Sequence, residues 1–283
     1  MGQVLAVLRY PLKSARGETL QVVAIGEHGL HGDRSWACID ATDATVGSVK
    51  HPGRWGRLLD VTATLADGHR ADVVTVEVGG EHLPAGSERA DAALGAYLGR
   101  AVHLSHEVPA TARLHRLLPS EPGLVPEWAT GLPGQEMTTR IDGAQPGGRF
   151  VDFGAVHLVT SGELTALARR LGRPCVPASR FRPNLVLDAP ADPEPGQELS
   201  IGDVVLRVLV PTPRCVVPGL VGGSHAPDRA LLRSLAGHYR RAVADLGRAA
   251  CFGTYAEVLA PGHVRVGDDV RWERPGQGGL AAS

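Results

Sequence analysis

The sequence has few cysteines, few aromatic residues and no excess of either charge. Its four cysteines, Cys38, Cys175, Cys215 and Cys251, lie far apart and form no CxxC pair. Such spacing argues against a disulfide framework and against a zinc ribbon. The formal net charge is −1, whereas proteins that bind the nucleic-acid backbone usually carry a basic surplus. We therefore expect a protein with free thiols and no nucleic-acid partner.

Long apolar runs are also absent. Charged residues, glycine or histidine interrupt every run before it reaches the roughly 18 residues of a membrane-spanning helix. The start of the sequence has no basic leader before its short apolar stretch, so it does not read as a signal peptide. These features predict a cytoplasmic protein with no membrane contact.

The composition along the sequence predicts four consecutive segments. Residues 1–106 contain short β-branched and apolar runs between turn residues, with Asp67-Gly68 as the strongest hairpin signal. Residues 107–150 are rich in proline and glycine and predict a connector that also covers a site. Residues 151–272 predict a second strand-rich domain, and 273–283 a flexible tail. Because strands outnumber helices without βαβ alternation, the fold class is α+β, a β-barrel or sandwich with a few packed helices.

Apolar periodicity and end signals predict three helices. The first spans Ala90–Leu98 with Ser87 as its cap, and the second follows a capping box made by Thr160 and Glu163. The third is expected over residues 228–246 because proline precedes it and glycine follows it. Two strands, 255–259 and 264–270, are expected near the end of the chain.

The stretch Pro211–Cys215 is the most informative motif. Two prolines fix the backbone after a valine-rich run, and Arg214 precedes the thiol of Cys215. A neighbouring guanidinium favours the thiolate, which binds metals and attacks electrophiles. The alternative interpretation is a small thiol packed at the end of a strand.

Four further stretches suit an anion. Residues 180–184 place two arginines before Asn184, residues 10–14 contain Lys13 and Ser14, and residues 29–34 end at Arg34. Residues 160–162 begin a helix, where free N–H groups and the helix dipole attract negative charge. Each stretch alone is also explained as an ordinary turn or cap. Together they predict a large anionic ligand that touches a cysteine.

These segments, in this order, resemble the MOSC family, named after the C-terminal domain of molybdenum cofactor sulfurases. The resemblance runs from about Val4 to Val270. It rests on the segments YPLKS, GLHGDRSW, TSGEL, RFRPNLVL, IGDVVLRV, PTPRC and ACFGTYAEVLAPGHVRVGD. It is similar in particular to the branch that includes the mitochondrial amidoxime-reducing component and its bacterial relatives. The resemblance implies a β-barrel MOSC domain behind an N-terminal β-barrel-like domain.

The resemblance also implies a cofactor and its ligands. Cys215 matches the cysteine that binds molybdenum in a molybdenum–pterin cofactor. The residues implied to hold or face the cofactor are Lys13, Ser14, Arg34, Lys50, Thr160, Ser161, Arg182, Asn184 and Arg214. Of these, Arg214 and Asn184 are implied to orient the substrate or the pterin, so they count with Cys215 as catalytic residues.

The implied activity is the reduction of small N-hydroxylated substrates. No cysteine-rich ferredoxin domain follows Val270, so electrons are expected from a separate ferredoxin- or flavin-type reductase. Two alternatives stay open. Cys215 could carry sulfur as a persulfide, or the chain could carry the cofactor to another protein. A specialised biosynthetic enzyme that acts on one metabolite is the third hypothesis.

Overall fold

The computed structural model describes most of the chain. The described residues are 2–65, 73–109, 111–121, 123–125, 127–129, 131–140, 148–220, 227–243 and 246–273. The hairpin turn predicted at Asp67-Gly68 and most of the predicted tail lie outside them.

Within these residues the chain is rich in strands and has four α-helices. The strands of the first half are β1 Gly2–Arg9, β2 Glu18–Leu20, β3 Val22–Gly26, β4 Gly29–Leu30, β5 Ala37–Asp40, β6 Thr62–Leu65, β7 Val74–Val78, β8 Glu81–Pro84, β9 Val102–Ser105, β10 Arg113–Leu117 and β11 Glu136–Arg140. Those of the second half are β12 Val156–Thr160, β13 Leu185–Leu187, β14 Glu198–Ile201, β15 Val204–Pro213, β16 Arg240–Ala242, β17 Arg248–Ala260, β18 Gly262–Arg265 and β19 Asp269–Glu273. The helices are α1 Pro52–Trp55, α2 Glu88–Leu98, α3 Ser161–Arg170 and α4 Arg229–His238.

Seven strands close into a barrel in the order β12, β13, β1, β19, β14, β15 and β17, and β17 pairs back to β12. Of these seven pairings, β12 with β13 is parallel and the others are antiparallel. Aliphatic side chains on alternate positions, such as Val4, Leu158, Ile201 and Leu206, fill the interior. The predicted strand-rich α+β class with a β-barrel is confirmed.

The N-terminal strand belongs to this barrel. β1 hydrogen-bonds to β13 on one side and to β19 on the other, so it closes the ring that residues 156–273 otherwise form. The remaining first half forms small sheets, among them β5 with β9 and β6–β7–β8, around α1 and α2. Trp55, Leu58 and Leu94 are buried at the centre of that layer.

The helix predictions had mixed outcomes. Ser87 caps α2 as predicted, because its Oγ accepts from the N–H of Ala90 at 3.1 Å. The capping box at α3 is wrong: the hydroxyl of Thr160 makes no cap bond and donates instead to Asp192 Oδ1 at 2.9 Å. The third helix is shorter than predicted, since α4 ends at His238.

Tertiary pairing explains the errors near the C-terminus. Residues 240–242, predicted as helix, form β16 because they pair with the edge of β17. The strand predicted over 264–270 is two strands: β18 pairs with β3, whereas β19 pairs with β1 and β14. Sequence periodicity does not report such partners.

Candidate active site

The candidate site is a cavity of about 230 Å³ at one end of the barrel. The C-terminal end of β1 and the N-terminal ends of β12 and β13 meet there, because β1 runs antiparallel to β13. Strand register aligns three of the lining residues, since Tyr255 pairs with His157 on one side and with Val210 on the other. Cys215 follows the end of β15 and lines the same cavity.

Positive charge dominates the lining. The cations are Lys13, Arg34, Lys50, Arg116, Arg180, Arg182 and Arg214. Among the described residues that line the cavity, Asp152 is the only carboxylate. This surplus occurs in a chain whose formal net charge is −1. A cavity of this kind attracts an anionic ligand.

Lys13 and Lys50 share one acceptor. Their ammonium nitrogens lie 2.8 and 2.9 Å from Asp152 Oδ1, and Lys13 Nζ also donates to the carbonyl oxygen of Phe150 at 2.9 Å. Burial lowers the pKa of Lys13 to about 8, although Asp152 opposes the shift. Burial alone would raise the pKa of Asp152, but the two lysines hold it well below its usual value. One carboxylate thus anchors two cations at the cavity wall.

Arg34 and Arg182 both contact the ring of Tyr10. Their guanidinium carbons lie 5.1 and 4.3 Å from the ring centroid. Arg34 pairs with Asp33 and donates to the carbonyl oxygen of Arg182 at 3.2 Å. Arg182 donates to the carbonyl oxygen of Ala15. Burial, followed by the charge of Arg34, lowers the pKa of Arg182 to about 10.

The backbone is strained at this place. Ser14, Arg34 and Arg182 have φ angles of 68°, 51° and 54°, in the left-handed region that residues other than glycine rarely adopt. They are three of the four non-glycine residues with positive φ in the described part of the chain. Backbone strain of this kind concentrates at functional sites, where the surrounding structure holds it in place.

Arg214 is fixed by the protein itself. Its Nε donates to the carbonyl oxygen of Phe252 at 2.9 Å, and Nη1 donates to that of Phe181 at 3.1 Å. Nη2 meets His157 Nε2. Because a cation can only donate, Nε2 must accept, so the proton of this imidazole is assigned to Nδ1, which lies 3.2 Å from the carbonyl oxygen of Arg182. Burial and then Arg214 hold the pKa of His157 well below its usual value.

Seven of the ten residues predicted for the site line this cavity. They are Lys13, Ser14, Arg34, Lys50, Arg182, Arg214 and Cys215. They come from the loop after β1, the loop before β5, the turn before α1, the turn before β13 and the end of β15. Residues separated by up to about 200 positions in the sequence therefore converge on one space.

The other three, Thr160, Ser161 and Asn184, do not line it. The hydroxyl of Ser161 donates to Asp188 Oδ1 at 3.0 Å, and that of Thr160 to Asp192. Asn184 is buried: its Oδ1 accepts from the N–H of His157 at 3.0 Å, and its own main-chain N–H donates to the carbonyl oxygen of His157. It thereby orients the strand that carries His157.

Several lining residues were not predicted for the site. Asp152, Phe153, His157 and Tyr255 complete its polar and aromatic wall, with the rings of Phe153 and Tyr255 5.7 Å apart. The segment 107–150 contributes Arg116, Leu117, Leu118, Pro119 and Leu124. The high proline and glycine content of that segment predicted that it covers a site, but it did not indicate which of its residues line the cavity.

No group of three or more histidine, cysteine, aspartate or glutamate side chains among the described residues is arranged to hold a metal ion by itself. No helix in the described ranges is long and apolar enough to cross a membrane.

Comparison with known proteins identifies two family matches. The MOSC domain matches residues 147–271, and the MOSC N-terminal beta barrel domain matches residues 1–94. None of the curated proteins matches the sequence.

Three bacterial proteins are among the solved structures that match this chain. The YuaD protein from Bacillus subtilis is 13% identical with a TM-score of 0.44, over 95% of this chain and 93% of its own. YiiM from Geobacillus stearothermophilus is 20% identical with a TM-score of 0.32, over 44% and 57%. YiiM from Escherichia coli is 19% identical with a TM-score of 0.32, over 45% and 58%.

Proposed function

Because the chain belongs to the MOSC domain family, whose members are associated with the molybdenum cofactor, we propose that its cavity binds a molybdenum–pterin cofactor. Cys215 is the protein ligand of the metal in this proposal. The observation that carries it is the convergence of a partly exposed thiol and seven cations on one cavity with a single carboxylate in the described lining.

The lining fits such a cofactor chemically. A pterin cofactor of this type carries a phosphate and a dithiolene, both anionic, and sulfur ligands suit the metal. Lys13, Ser14, Arg34 and Lys50 would hold the phosphate end, and Arg182 would lie against the pterin.

Four of the predicted site residues, Arg214, Asn184, Thr160 and Ser161, receive supporting roles, because all three guanidinium nitrogens of Arg214 are engaged within the protein and the other three side chains do not line the cavity. Arg214 already donates to the carbonyl oxygens of Phe181 and Phe252 and to His157, and Asn184 accepts from the N–H of His157. Both therefore position the wall beside Cys215. Thr160 and Ser161 hold the start of α3 through Asp192 and Asp188. Substitution of these residues would thus disturb the site through its neighbours and not through a lost cofactor contact.

We propose the reduction of N-hydroxylated compounds as the reaction. A hydroxylamine takes up two electrons and two protons and gives an amine and one water. The bound cofactor supplies the two-electron chemistry. The chain binds and orients the substrate, and the rings of Phe153 and Tyr255 form the aromatic part of the cavity wall. The electrons come from a separate ferredoxin- or flavin-type reductase.

The test is the molybdenum and pterin content of the purified protein. Wild-type protein from a host supplied with molybdate should retain both in near-equal amounts. Cys215→Ala should lose most of the metal or bind it weakly, whereas Cys175→Ala, a matched change at an exposed thiol, should match wild type. Thermal unfolding checks that each variant keeps its fold. Wild-type protein without metal and pterin would contradict the proposal.

The second candidate is a sulfur carrier with a persulfide on Cys215. The observation that favours it is that Cys215 is partly exposed and lines an open, cationic space, where a persulfide anion is stabilised. A persulfide assay on metal-free wild-type protein distinguishes the two functions. Labelling at Cys215 without any bound pterin would support the carrier.

A further inference from the structure

Arg116 is the exception among the cavity cations. The other six each bond to a carboxylate or to a main-chain carbonyl oxygen; they are Lys13, Lys50, Arg34, Arg180, Arg182 and Arg214. Arg116 has no hydrogen-bond or ion-pair partner for its guanidinium among the described residues, and its Nε is buried. A buried donor without a partner is costly, so an absent acceptor is indicated.

The position of Arg116 in the fold helps to decide which ligand would supply the missing hydrogen-bond acceptor. It lies on β10, in the stretch 95–146 that neither family match covers. The residues proposed to hold the cofactor all lie within the matched regions. Arg116 therefore lies outside the matched regions that contain the proposed cofactor residues.

Its neighbours on the same segment are apolar. Leu117, Leu118, Pro119 and Leu124 line the cavity beside it, and the N–H of Leu117 donates to the carbonyl oxygen of Lys50 at 3.0 Å, which ties the segment to the wall. The second half of the chain adds further apolar lining with Val243, Leu246 and Ala249. The combination of one free guanidinium and an apolar wall matches a ligand that is apolar with one oxyanion.

We infer that Arg116 binds a carboxylate on the substrate and that the substrates are apolar, N-hydroxylated organic acids. This inference rests on the proposed function for the N–O group, but the recognition of the carboxylate stands apart from turnover. A guanidinium binds a carboxylate through charge-assisted, often bidentate hydrogen bonds. The aliphatic side chains of the segment contact the apolar body.

The experiment compares ligands that differ only in charge. Binding of an aryl carboxylic acid and of its primary amide, neither of which is reducible, is measured by calorimetry on the protein as purified. Wild type should bind the acid about tenfold or more tighter than the amide. Arg116→Gln should lose roughly ten- to a hundredfold for the acid and little for the amide. Arg116→Lys keeps the positive charge but lacks the two-pronged donor geometry of a guanidinium. Its affinity for the acid should lie between those of wild type and Arg116→Gln.

Arg113→Gln is the matched control. Arg113 lies on the same strand, and its replacement by glutamine removes the same charge. Its Nε, however, donates to Thr138 Oγ1 at 3.1 Å, and the residue does not line the cavity. This variant should bind both ligands as wild type does. In turnover, Arg116→Gln should lower kcat/KM for a carboxylated aryl amidoxime and spare the neutral one.

The outcomes separate this inference from the proposed function. Equal binding of acid and amide by wild type, or equal losses for both in Arg116→Gln, would overturn the inference. So would loss of pterin and molybdenum in Arg116→Gln, because Arg116 would then hold the cofactor. If Arg116-dependent binding of the acid persists while no N–O compound is reduced, the inference holds and the proposed activity fails.

Discussion

The strongest prediction about the cavity wall concerns the substitution of Asp152. Asp152→Asn keeps the shape of the side chain but removes the charge that Lys13 and Lys50 share at 2.8 and 2.9 Å. At an effective dielectric constant of about 20, each contact has a gross Coulomb energy of about 6 kcal/mol. Desolvation of the ions offsets much of this energy, and the Asp152 side chain is 37% exposed, so solvent screens the rest. We expect a net loss of about 1–2 kcal/mol in the free energy of unfolding at pH 7.

The pH dependence gives this prediction its signature. The folded-state pKa of Asp152 is depressed, so its contribution is present above the unfolded pKa, about 3.9, and is lost as the pH falls through the lower folded value. The contribution also shrinks above about pH 8, where Lys13 loses its proton. The difference in stability between wild type and Asp152→Asn should thus be flat from about pH 5 to 7 and smaller on both sides.

Urea unfolding at a series of pH values measures this difference. The control is Glu81→Gln, which breaks a pair with Arg89 at 2.6 Å in which both side chains are more than half exposed. That variant should change stability by less than about 0.5 kcal/mol. A variant Asp152→Asn as stable as wild type, or a difference that does not vary with pH, would refute the argument.

Three further predictions concern the site and its support. Inorganic pyrophosphate should bind cofactor-free wild type more weakly as the pH rises through about 8, whereas Lys13→Arg should keep its affinity, both measured by calorimetry. Asp192→Ala should lower the free energy of unfolding, measured by urea unfolding, by roughly 3 kcal/mol. The N–H and hydroxyl of Thr160 and the N–H of Gly253 lose their acceptor in this variant. Gly253→Ala should lower the free energy of unfolding by roughly 2–4 kcal/mol, because φ is +77° and the new Cβ would lie 2.4 Å from a main-chain oxygen. Gly237→Ala, in α4, should be neutral or stabilising, because no atom beyond the neighbouring residues and the helix's own backbone lies within 4 Å of the new Cβ.

The sequence was informative about the fold class and about short local signals. The strand-rich α+β class and the Ser87 cap depend on composition and on neighbouring residues, and both are confirmed. Element boundaries after Asp228 were not predictable, because β16 exists only through its pairing with β17. The role of Thr160 depends on Asp192, which lies 32 positions away and has no local signal.

The site shows the same division. Motifs with unusual local chemistry, such as Lys13, Arg34, Arg182 and Cys215, pointed to residues that share the cavity. Asn184 belonged to an equally distinct motif, yet its side chain bonds to the backbone of His157. Motif chemistry does not tell which way a side chain points. Domain boundaries at 106, 150 and 272 stay a prediction, and β1 joins the barrel of the second half.

The proposed function depends most directly on Cys215 as a ligand of molybdenum. X-ray absorption at the molybdenum edge counts the sulfur atoms around the metal in wild type and in Cys215→Ser. We expect one sulfur neighbour fewer in Cys215→Ser, with the pterin still bound. The same sulfur count in both proteins would contradict it, because the metal would then take no ligand from Cys215.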